Sequence, residues 1–281
     1  MKSFCIKTDQ KQIIEYLLNK MATLNFPNIY YCNKSFKIYE NVILHYKEEN
    51  VIKFENIVAN ILTDTIIEFY QEKILKRMIN VNYFYFDTFE KNCILEDCAE
   101  FLKEQYAEIE ESIFKEVKNY LQTNHNIYIE GIANFRLGEY LKILDNIVDL
   151  AVNKYIIEKE YKEFIQLLRI YVNSAEPKIE VLHLIYTNGE SILLDKERNI
   201  IPMDRDMSNI KYLSDITFSS NDIALNTLLS MLPKQIEIHI IDKEDEFINT
   251  LKLIFENRIH ICNDCNLCRT YKMMKNVKMS K

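Results

Sequence analysis

Glycine and proline are scarce in this chain, and their scarcity limits the folds that it can adopt. The sequence has three glycines and four prolines among 281 residues. Folds that depend on glycine-rich phosphate-binding loops are therefore disfavoured, as are collagen-like and linker-rich chains. Hydrophobic residues make up 48% and charged residues 27%, so the chain has enough apolar side chains to form a core and is unlike a disordered protein.

The stretch from 51 to 174 has helical periodicity throughout. Apolar residues recur there at intervals of three and four, which is the spacing that places them on one face of a helix. Polar or glycine-containing breaks separate the predicted helices from one another. The last three of these helices are predicted at about 107–122, 133–152 and 153–173.

Both ends of the chain contain strand patterns. The first 50 residues predict the order β-α-β-β. Near the other end, Asn188–Gly189 between two strand-like runs is a strong hairpin signal. The run at 235–241 predicts a strand, Asp242 is placed to cap the helix that follows, and 258–261 predicts a second strand. A strand, a helix and a strand with short connections form a βαβ unit with parallel strands.

These patterns predict an α+β protein with a central helical region between β-containing ends. The strands of the two ends could form one mixed sheet or two adjacent sheets. We expect a small β-α-β-β region, a helical region, an α/β region with a cysteine-rich end, and a basic tail. Their predicted bounds are 1–50, 51–174, 175–268 and 269–281.

Charge and cysteine usage suggest a compartment. The chain has 35 basic and 42 acidic residues, a net charge of −7, which disfavours general binding to nucleic acid or anionic lipid. Its first residues lack the uninterrupted apolar run of an export signal, and no stretch is apolar enough for a transmembrane helix. The seven cysteines are an odd number, so reduced thiols in a cytoplasmic protein are expected.

The most specific chemical pattern lies near the C-terminus, where Cys262, Cys265 and Cys268 are separated by two residues each. This spacing lets several sulfurs turn toward one soft metal ion. His260 lies two residues before the first cysteine, on the same face of the predicted strand, and is the candidate fourth ligand. Cys5, another residue brought in by folding, or a second chain are alternatives for that position.

Zinc is the expected ion, ahead of an iron–sulfur cluster. The bacterial iron–sulfur pattern continues to a fourth cysteine and a proline, whereas this chain continues with Arg269. Two alternatives stay open: thiol–disulfide exchange, and three semi-exposed thiols without a ligand. The cysteines follow one predicted parallel strand, and Asp242 and Lys243 follow the other. Ligands tend to bind beyond the carboxyl ends of such strands, so this edge is the expected site.

Other candidates have weaker support. Glu130, Arg136 and Glu139 near a helix start could grip a ligand, but anchoring the helix is the simpler interpretation. The segment Asp204-Arg205-Asp206 is expected to be a solvated loop, and the basic tail a frayed terminus. A structural role is the simplest interpretation of the histidines other than His260, which are His45, His125, His183 and His239.

Several segments together resemble the YtxC-like family of sporulation proteins. The combination of Glu130-Gly131, Phe135-Arg136-Leu137 and Glu160-Tyr161 is the most specific part of the resemblance. It extends in order over most of the chain, through 82–91, 126–172, 177–185, 222–240 and 251–268. The resemblance implies a cytosolic protein of an endospore-forming bacterium that is associated with sporulation. It implies no reaction and provides no functional residue to carry over.

Three functional hypotheses follow. The first is a non-enzymatic interaction or scaffold protein of sporulation with an unidentified protein partner and a small structural metal site. The second is an enzyme or a metal or redox sensor with its site at the carboxyl ends of the C-terminal parallel strands. The third and weakest is nucleic-acid binding through the basic tail. The oligomeric state is left open.

Overall fold

The residues that the structure describes form two four-stranded sheets, each with helices of its own. The computed structural model describes residues 2–24, 28–47, 50–202 and 219–279, with side chains as far as residue 273. Its contacts divide the chain into two units, Met1–Glu158 and Lys159–Lys281. The mixture of helices and two mixed sheets confirms the α+β class. Asp204-Arg205-Asp206 lies outside the described residues.

The N-terminal sheet has the strand order β2-β3-β1-β4. Strand β1 pairs antiparallel with β3 and parallel with β4, and helix α1, Lys11–Thr23, follows β1. The predicted β-α-β-β order of the first 50 residues is therefore confirmed. Strand β4 was missed because three residues are too few to show an alternating pattern. The strands are β1 Lys2–Thr8, β2 Ile29–Ser35, β3 Glu40–Tyr46 and β4 Asn126–Tyr128.

Only one of the two faces of this sheet belongs to the hydrophobic core among the described residues. Phe4, Ile6 and Leu44 point to one side and join the hydrophobic core with helix α1 and the following helix α2, Val51–Asn82. The side chains of the opposite face do not belong to that core, and we call this side the open face. The open face consists of Ser3, Cys5, Lys7, Tyr30, Cys32, Lys34, Asn41, Ile43, His45, Asn126 and Tyr128.

The central region is helical, as its periodicity predicts. One difference is that the last two predicted helices are a single helix, α6, because no glycine or proline interrupts the chain after Gly138. The helices are α2 Val51–Asn82, α3 Thr88–Glu104, α4 Tyr106–Thr123, α5 Ile129–Phe135 and α6 Gly138–Ser174.

The boundary between the two units falls inside α6, not after it. Leu144 and Val148 in its first half belong to the core of the N-terminal unit. Ile165 and Val172 in its second half belong to the core of the C-terminal unit. The helix is thus divided by which core its apolar residues enter, a division that periodicity alone does not reveal.

The C-terminal sheet has the order β6-β5-β7-β8. Strands β5, β7 and β8 are mutually parallel, so the predicted βαβ unit is present, and β5 and β6 form the predicted hairpin. Asn188 and Gly189 in its turn have φ values of 53° and 76°, in the left-handed region. The elements are β5 Ile179–Thr187, β6 Glu190–Leu194, α7 Ser220–Met231, β7 Pro233–Ile240, α8 Glu246–Phe255, β8 Ile259–Ile261 and α9 Asn266–Met279.

The sequence leaves open whether the strands of the two chain ends share one sheet. Among the described residues they lie in two separate sheets, because each sheet is completed by strands of its own unit. One expectation differs from the structure. The region from 269 onward, expected as a frayed tail, belongs to α9 as far as Met279. Leu267 and Cys268 at the start of that helix pack on the sheet, which gives it a surface to fold against. Among the described residues, no helix is long and apolar enough to cross a membrane.

A capping box at the start of α3 yields a stability prediction. The Asp87 side chain accepts a hydrogen bond from the Glu90 backbone N–H, and the Glu90 side chain accepts one from the Asp87 N–H. Replacing Asp87 by Ala should lower the free energy of unfolding by about 1 kcal/mol, whereas Asp87→Asn, which keeps the acceptor, should stay near the original value. Urea denaturation followed by circular dichroism measures both. Equal losses in the two variants would contradict the cap.

Candidate metal centre

The candidate site is built at the carboxyl ends of two adjacent parallel strands. His239 is the penultimate residue of β7, and Cys262 follows directly after β8. Ile238 pairs with Ile261, and the Cys262 N–H donates to the Ile238 carbonyl at 2.9 Å, so the ladder continues one residue further. This register places His239 and Cys262 side by side on one face of the sheet.

A tight turn brings the other two thiols back over this edge. Asp264 has a φ of 92°, which reverses the chain direction after Cys262. Its carboxylate also pairs with Lys272 at 3.0 Å and with Arg269 at 3.4 Å, holding the turn against the outer side of α9. Cys265 is the residue just before α9, and Cys268 lies in the first turn of that helix.

The four side chains converge on a common point. The His239 Nδ1 atom lies 3.5 Å from Cys265 Sγ and 3.4 Å from Cys268 Sγ. Cys268 Sγ lies 3.7 Å from Cys262 Sγ and 3.9 Å from Cys265 Sγ. All four ligand atoms lie within 4.8 Å of one another, so the group could hold a metal ion. We call His239, Cys262, Cys265 and Cys268 the thiol–imidazole cluster.

Four of the six separations within the cluster match the edges of a tetrahedron around one ion. With Zn–S bonds of about 2.3 Å and Zn–N bonds of about 2.0 Å, the edges are about 3.8 Å between sulfurs and about 3.5 Å between sulfur and nitrogen. The two sulfur–sulfur distances from Cys268 are 3.7 and 3.9 Å, and the distances from His239 Nδ1 to Cys268 and Cys265 are 3.4 and 3.5 Å. The ligand atom of Cys262 lies within 4.8 Å of those of Cys265 and His239.

The cluster lies under an apolar cover. His239 is 3% exposed and Cys268 is 2% exposed, whereas Cys262 and Cys265 are half-buried. A small hydrophobic group formed by the sheet and α9 surrounds Cys268. Its other members include Ile185, Leu194, Ile241, Leu267 and Tyr271. This cover keeps bulk water away from the innermost ligand atoms.

The thiols have different environments. Burial raises the pKa of Cys268 to about 11, and hydrogen bonds with its neighbouring thiols contribute to the increase. Burial also acts to raise the pKa of Cys265, but backbone N–H groups of Cys268 and Leu267 and the Cys262 thiol together lower it below its ordinary value. Such backbone donors at a helix start favour a thiolate. Burial lowers the pKa of His239, so the neutral imidazole that a metal needs is favoured.

A second histidine lies behind the first. His183 on β5 lies diagonally across the parallel ladder from His239, two residues before the residue that pairs with it, and its Nδ1 atom is 3.1 Å from His239 Nε2. If His239 binds an ion through Nδ1, its Nε2 must carry the ring proton and donate a hydrogen bond to His183 Nδ1. Burial lowers the pKa of His183, which favours the neutral ring that can accept this bond.

The structure brings together the three predicted cysteines but not His260. His260 pairs with Glu237, and both lie two residues before Cys262 and His239 on their strands. The side chain of His260 is exposed on the edge strand β8. The expected shared face is correct, but the turn carries Cys265 and Cys268 away from His260 and over His239. Sequence spacing could not reveal His239, because its proximity depends on the register of β7 against β8.

The other predicted candidates lie elsewhere and do different things. The Asp242 carboxylate accepts hydrogen bonds from the Asn188 N–H and the Thr187 hydroxyl, so it holds the hairpin turn. Glu130 accepts from Thr8 at 2.8 Å and from the Tyr70 hydroxyl at 2.6 Å, which fits the anchoring interpretation. Arg136 and Glu139 are exposed, and no described contact joins them to Glu130.

Comparisons with known proteins identify relatives of this chain. A family model described as the YtxC-like family matches residues 56–260. The protein named "Uncharacterized protein YtxC" of Bacillus subtilis (strain 168) is 27% identical over 153 residues, which is 54% of this chain and 53% of that protein. The alignment thus spans about half the length of that relative. No solved structure matches the chain. The family match ends before Cys262, so it carries no information about the three thiols.

The different thiol environments predict an order of alkylation. In chelator-treated protein near pH 8, iodoacetamide should modify Cys265 before Cys268, because a lowered pKa and partial exposure favour its reactive thiolate. Cys98 provides an internal control, since it is fully buried and its pKa is raised by burial to about 12. Peptide mass spectrometry over time measures the order. Modification of Cys268 first would contradict this description of the cluster.

Proposed function

The chain belongs to the YtxC-like family, and on that premise we propose that its thiol–imidazole cluster holds one structural zinc ion in a non-enzymatic, sporulation-associated interaction protein. The observation that carries the proposal is the convergence of the four ligand atoms, with four of their six separations matching the edges of one tetrahedral zinc site. The association with sporulation rests on the family resemblance alone.

Zinc fits the donors better than the other ions considered. Three thiolates and one imidazole form a soft ligand set, and zinc accepts tetrahedral geometry without an electronic penalty. In a four-iron cluster each cysteine binds a different iron atom, so the sulfurs stand farther apart than the edges of a single-ion site. The short Sγ separations of 3.7 and 3.9 Å therefore favour one ion over an iron–sulfur cluster.

A structural role follows from the number of protein ligands. Catalytic zinc sites keep one position for water or substrate, whereas structural sites are closed by four protein ligands. Here the four donors come from β7, the end of β8 and the start of α9, so an ion would join these elements. It would fix α9 on the sheet and contribute directly to the stability of the C-terminal unit.

The interaction role is supported by the surface of the same unit. Phe164, Leu167 and Ile170 on α6 are 54%, 66% and 56% exposed. We take these exposed apolar side chains along one helix as the candidate surface for a protein partner. A cytoplasmic setting is part of the proposal, because the thiols must stay reduced to bind metal.

A metal or redox sensor is the second candidate. It is favoured by the placement of the cluster at the carboxyl ends of parallel strands and by the lowered pKa of Cys265. Hydrogen peroxide would accept two electrons from two thiolates, its O–O bond would break to give two hydroxide ions, the two sulfurs would form a disulfide, and the zinc ion would be released. Zinc retained after peroxide treatment would favour the structural role over this one.

Nucleic-acid binding through the basic tail has less support. Arg269 and Lys272 both pair with Asp264, so part of their charge is already compensated within the chain. Lys275, Lys278 and Lys281 lie beyond the described side chains.

Metal content provides the first test, with two histidine variants as a matched pair. The purified chain should contain about one zinc ion per molecule by elemental analysis. His239→Ala should weaken zinc binding by at least about 100-fold, because it removes a ligand, whereas His260→Ala should keep the affinity unchanged. Competition with a chromophoric chelator measures both affinities.

Two outcomes would overturn the proposed site. The first is a metal content near zero in protein prepared without chelator. The second is a metal content that is unchanged when Cys262, Cys265 and Cys268 are all replaced by Ser. Far-ultraviolet circular dichroism, which reports the helix content of the whole chain, establishes whether the variants are otherwise folded.

His183 provides a separate test of how His239 is oriented. His183→Ala should lower zinc affinity by about 10- to 100-fold while one ion still binds at saturating zinc, because the outer hydrogen bond fixes the imidazole tautomer. His183→Gln, whose amide oxygen can accept the same hydrogen bond, should recover part of the loss. Equal affinities in all three proteins would show that His183 does not position the ligand.

A further inference from the structure

The open face of the N-terminal sheet combines exposed aromatic rings with lysines. Lys34 on β2, Lys7 on β1 and Tyr128 on β4 lie in one row across the sheet, with Asn41 between the two lysines. At the other end of the face, the Lys47 ammonium lies 4.5 Å from the centre of the Tyr30 ring. Tyr30 and Tyr128 are 51% and 47% exposed.

The charge of this face is opposite to that of the chain. The chain as a whole carries a net charge of −7, with 42 acidic residues. None of the described side chains that define the open face is acidic, while Lys7 and Lys34 belong to it and Lys47 borders it. The carboxylates of Asp9 and Glu130 lie near Tyr128 at the β4 edge, so the positive charge is concentrated on β1 and β2. A local positive surface of this kind selects for a polyanion even on an acidic protein.

One buried polar atom on this face lacks a partner. Asn41 is 6% exposed, and its Oδ1 atom has no hydrogen-bond partner among the described residues. It lies between Lys7 and Lys34 in the ladder. Leaving a buried acceptor unpaired costs free energy, so a ligand that offers a donor at this position would be favoured.

We propose that the open face binds single-stranded RNA. Lysines would contact the phosphates, the exposed tyrosine rings would stack on unpaired bases, and Asn41 Oδ1 would accept a hydrogen bond from a ribose 2′-hydroxyl. An acidic peptide would satisfy the lysines but would leave the two rings and the unpaired acceptor without matching groups. A duplex is disfavoured, because its stacked bases cannot reach the tyrosines.

The site is independent of the metal centre. All of its residues belong to Met1–Glu158, whereas the thiol–imidazole cluster belongs to Lys159–Lys281. Failure of one proposal therefore leaves the other unaffected.

The test is fluorescence anisotropy with the whole chain, under reducing conditions, and a labelled single-stranded RNA of about 12 nucleotides. Three phosphate contacts predict a slope of log K against log salt of about −2, so affinity should fall about 20-fold between about 50 and 200 mM salt. Replacing Lys7, Lys34 and Lys47 by Ala should abolish measurable binding. Tyr30→Ala alone should weaken it about tenfold, through lost stacking.

The matched control changes three exposed lysines on helices of the same unit. Replacing Lys76, Lys103 and Lys115 by Ala alters the net charge equally but leaves the open face intact, so binding should stay within about twofold. Circular dichroism and thermal unfolding establish that each variant is folded. Equal losses in the two triple variants would mean that binding follows net charge and would overturn the proposal.

Further measurements distinguish RNA binding at the open face from binding of other ligands or at other sites. DNA of the same sequence should bind more weakly, because deoxyribose lacks the 2′-hydroxyl donor. Binding lost only when Lys275, Lys278 and Lys281 are replaced would assign the RNA to the basic tail. That result would overturn the proposal. So would the absence of RNA binding at low salt, binding of DNA as tight as that of RNA, or displacement of the labelled RNA by poly-glutamate as effectively as by unlabelled RNA.

Discussion

The parallel pairing of β7 with β8 is the constraint on which the candidate metal centre depends. This pairing sets His239 beside Cys262 at the same edge of the sheet, before any contact with a metal. The turn at Asp264 and the start of α9 then need only return two further thiols to that edge. A shift of one residue in the register would place the imidazole on the opposite face, and the cluster could not form.

The two units use the same architectural element in different ways. In the C-terminal unit, helices cover one face of the sheet and α9 covers part of the other, which creates the buried pocket for the cluster. In the N-terminal unit, the core lies on one face of the sheet, and the open face presents lysines and tyrosines. A covered edge favours a structural ion, and an uncovered face favours an extended ligand. The proposed roles of the two units follow from this difference in cover.

Much of this fold is visible in the sequence because its signals are local. The Asn188–Gly189 hairpin, the final βαβ unit and the helical block all depend on spacing within about 30 residues of chain. The same is true of the three cysteines, whose two-residue gaps predict that the sulfurs can converge. The continuous α6 was predicted as two helices, because a helix shared by two cores changes its apolar face partway along.

The sequence does not show which side chains meet across neighbouring strands of the C-terminal sheet. His239 and His183 look like ordinary strand histidines, and His260 is nearer to the cysteines in sequence. Only the register shows that His239 meets the thiols and that His183 supports it. The lack of cover on the open face is equally non-local, since alternation of polar and apolar residues does not show where helices pack.

X-ray absorption spectroscopy at the zinc edge, on the purified and reduced whole chain, identifies the atoms bound to zinc. The thiol–imidazole cluster should give three sulfurs at about 2.3 Å and one nitrogen at about 2.0 Å, with no oxygen ligand. A spectrum dominated by oxygen or nitrogen ligands, or one without bound zinc, would show that the cluster does not hold the ion.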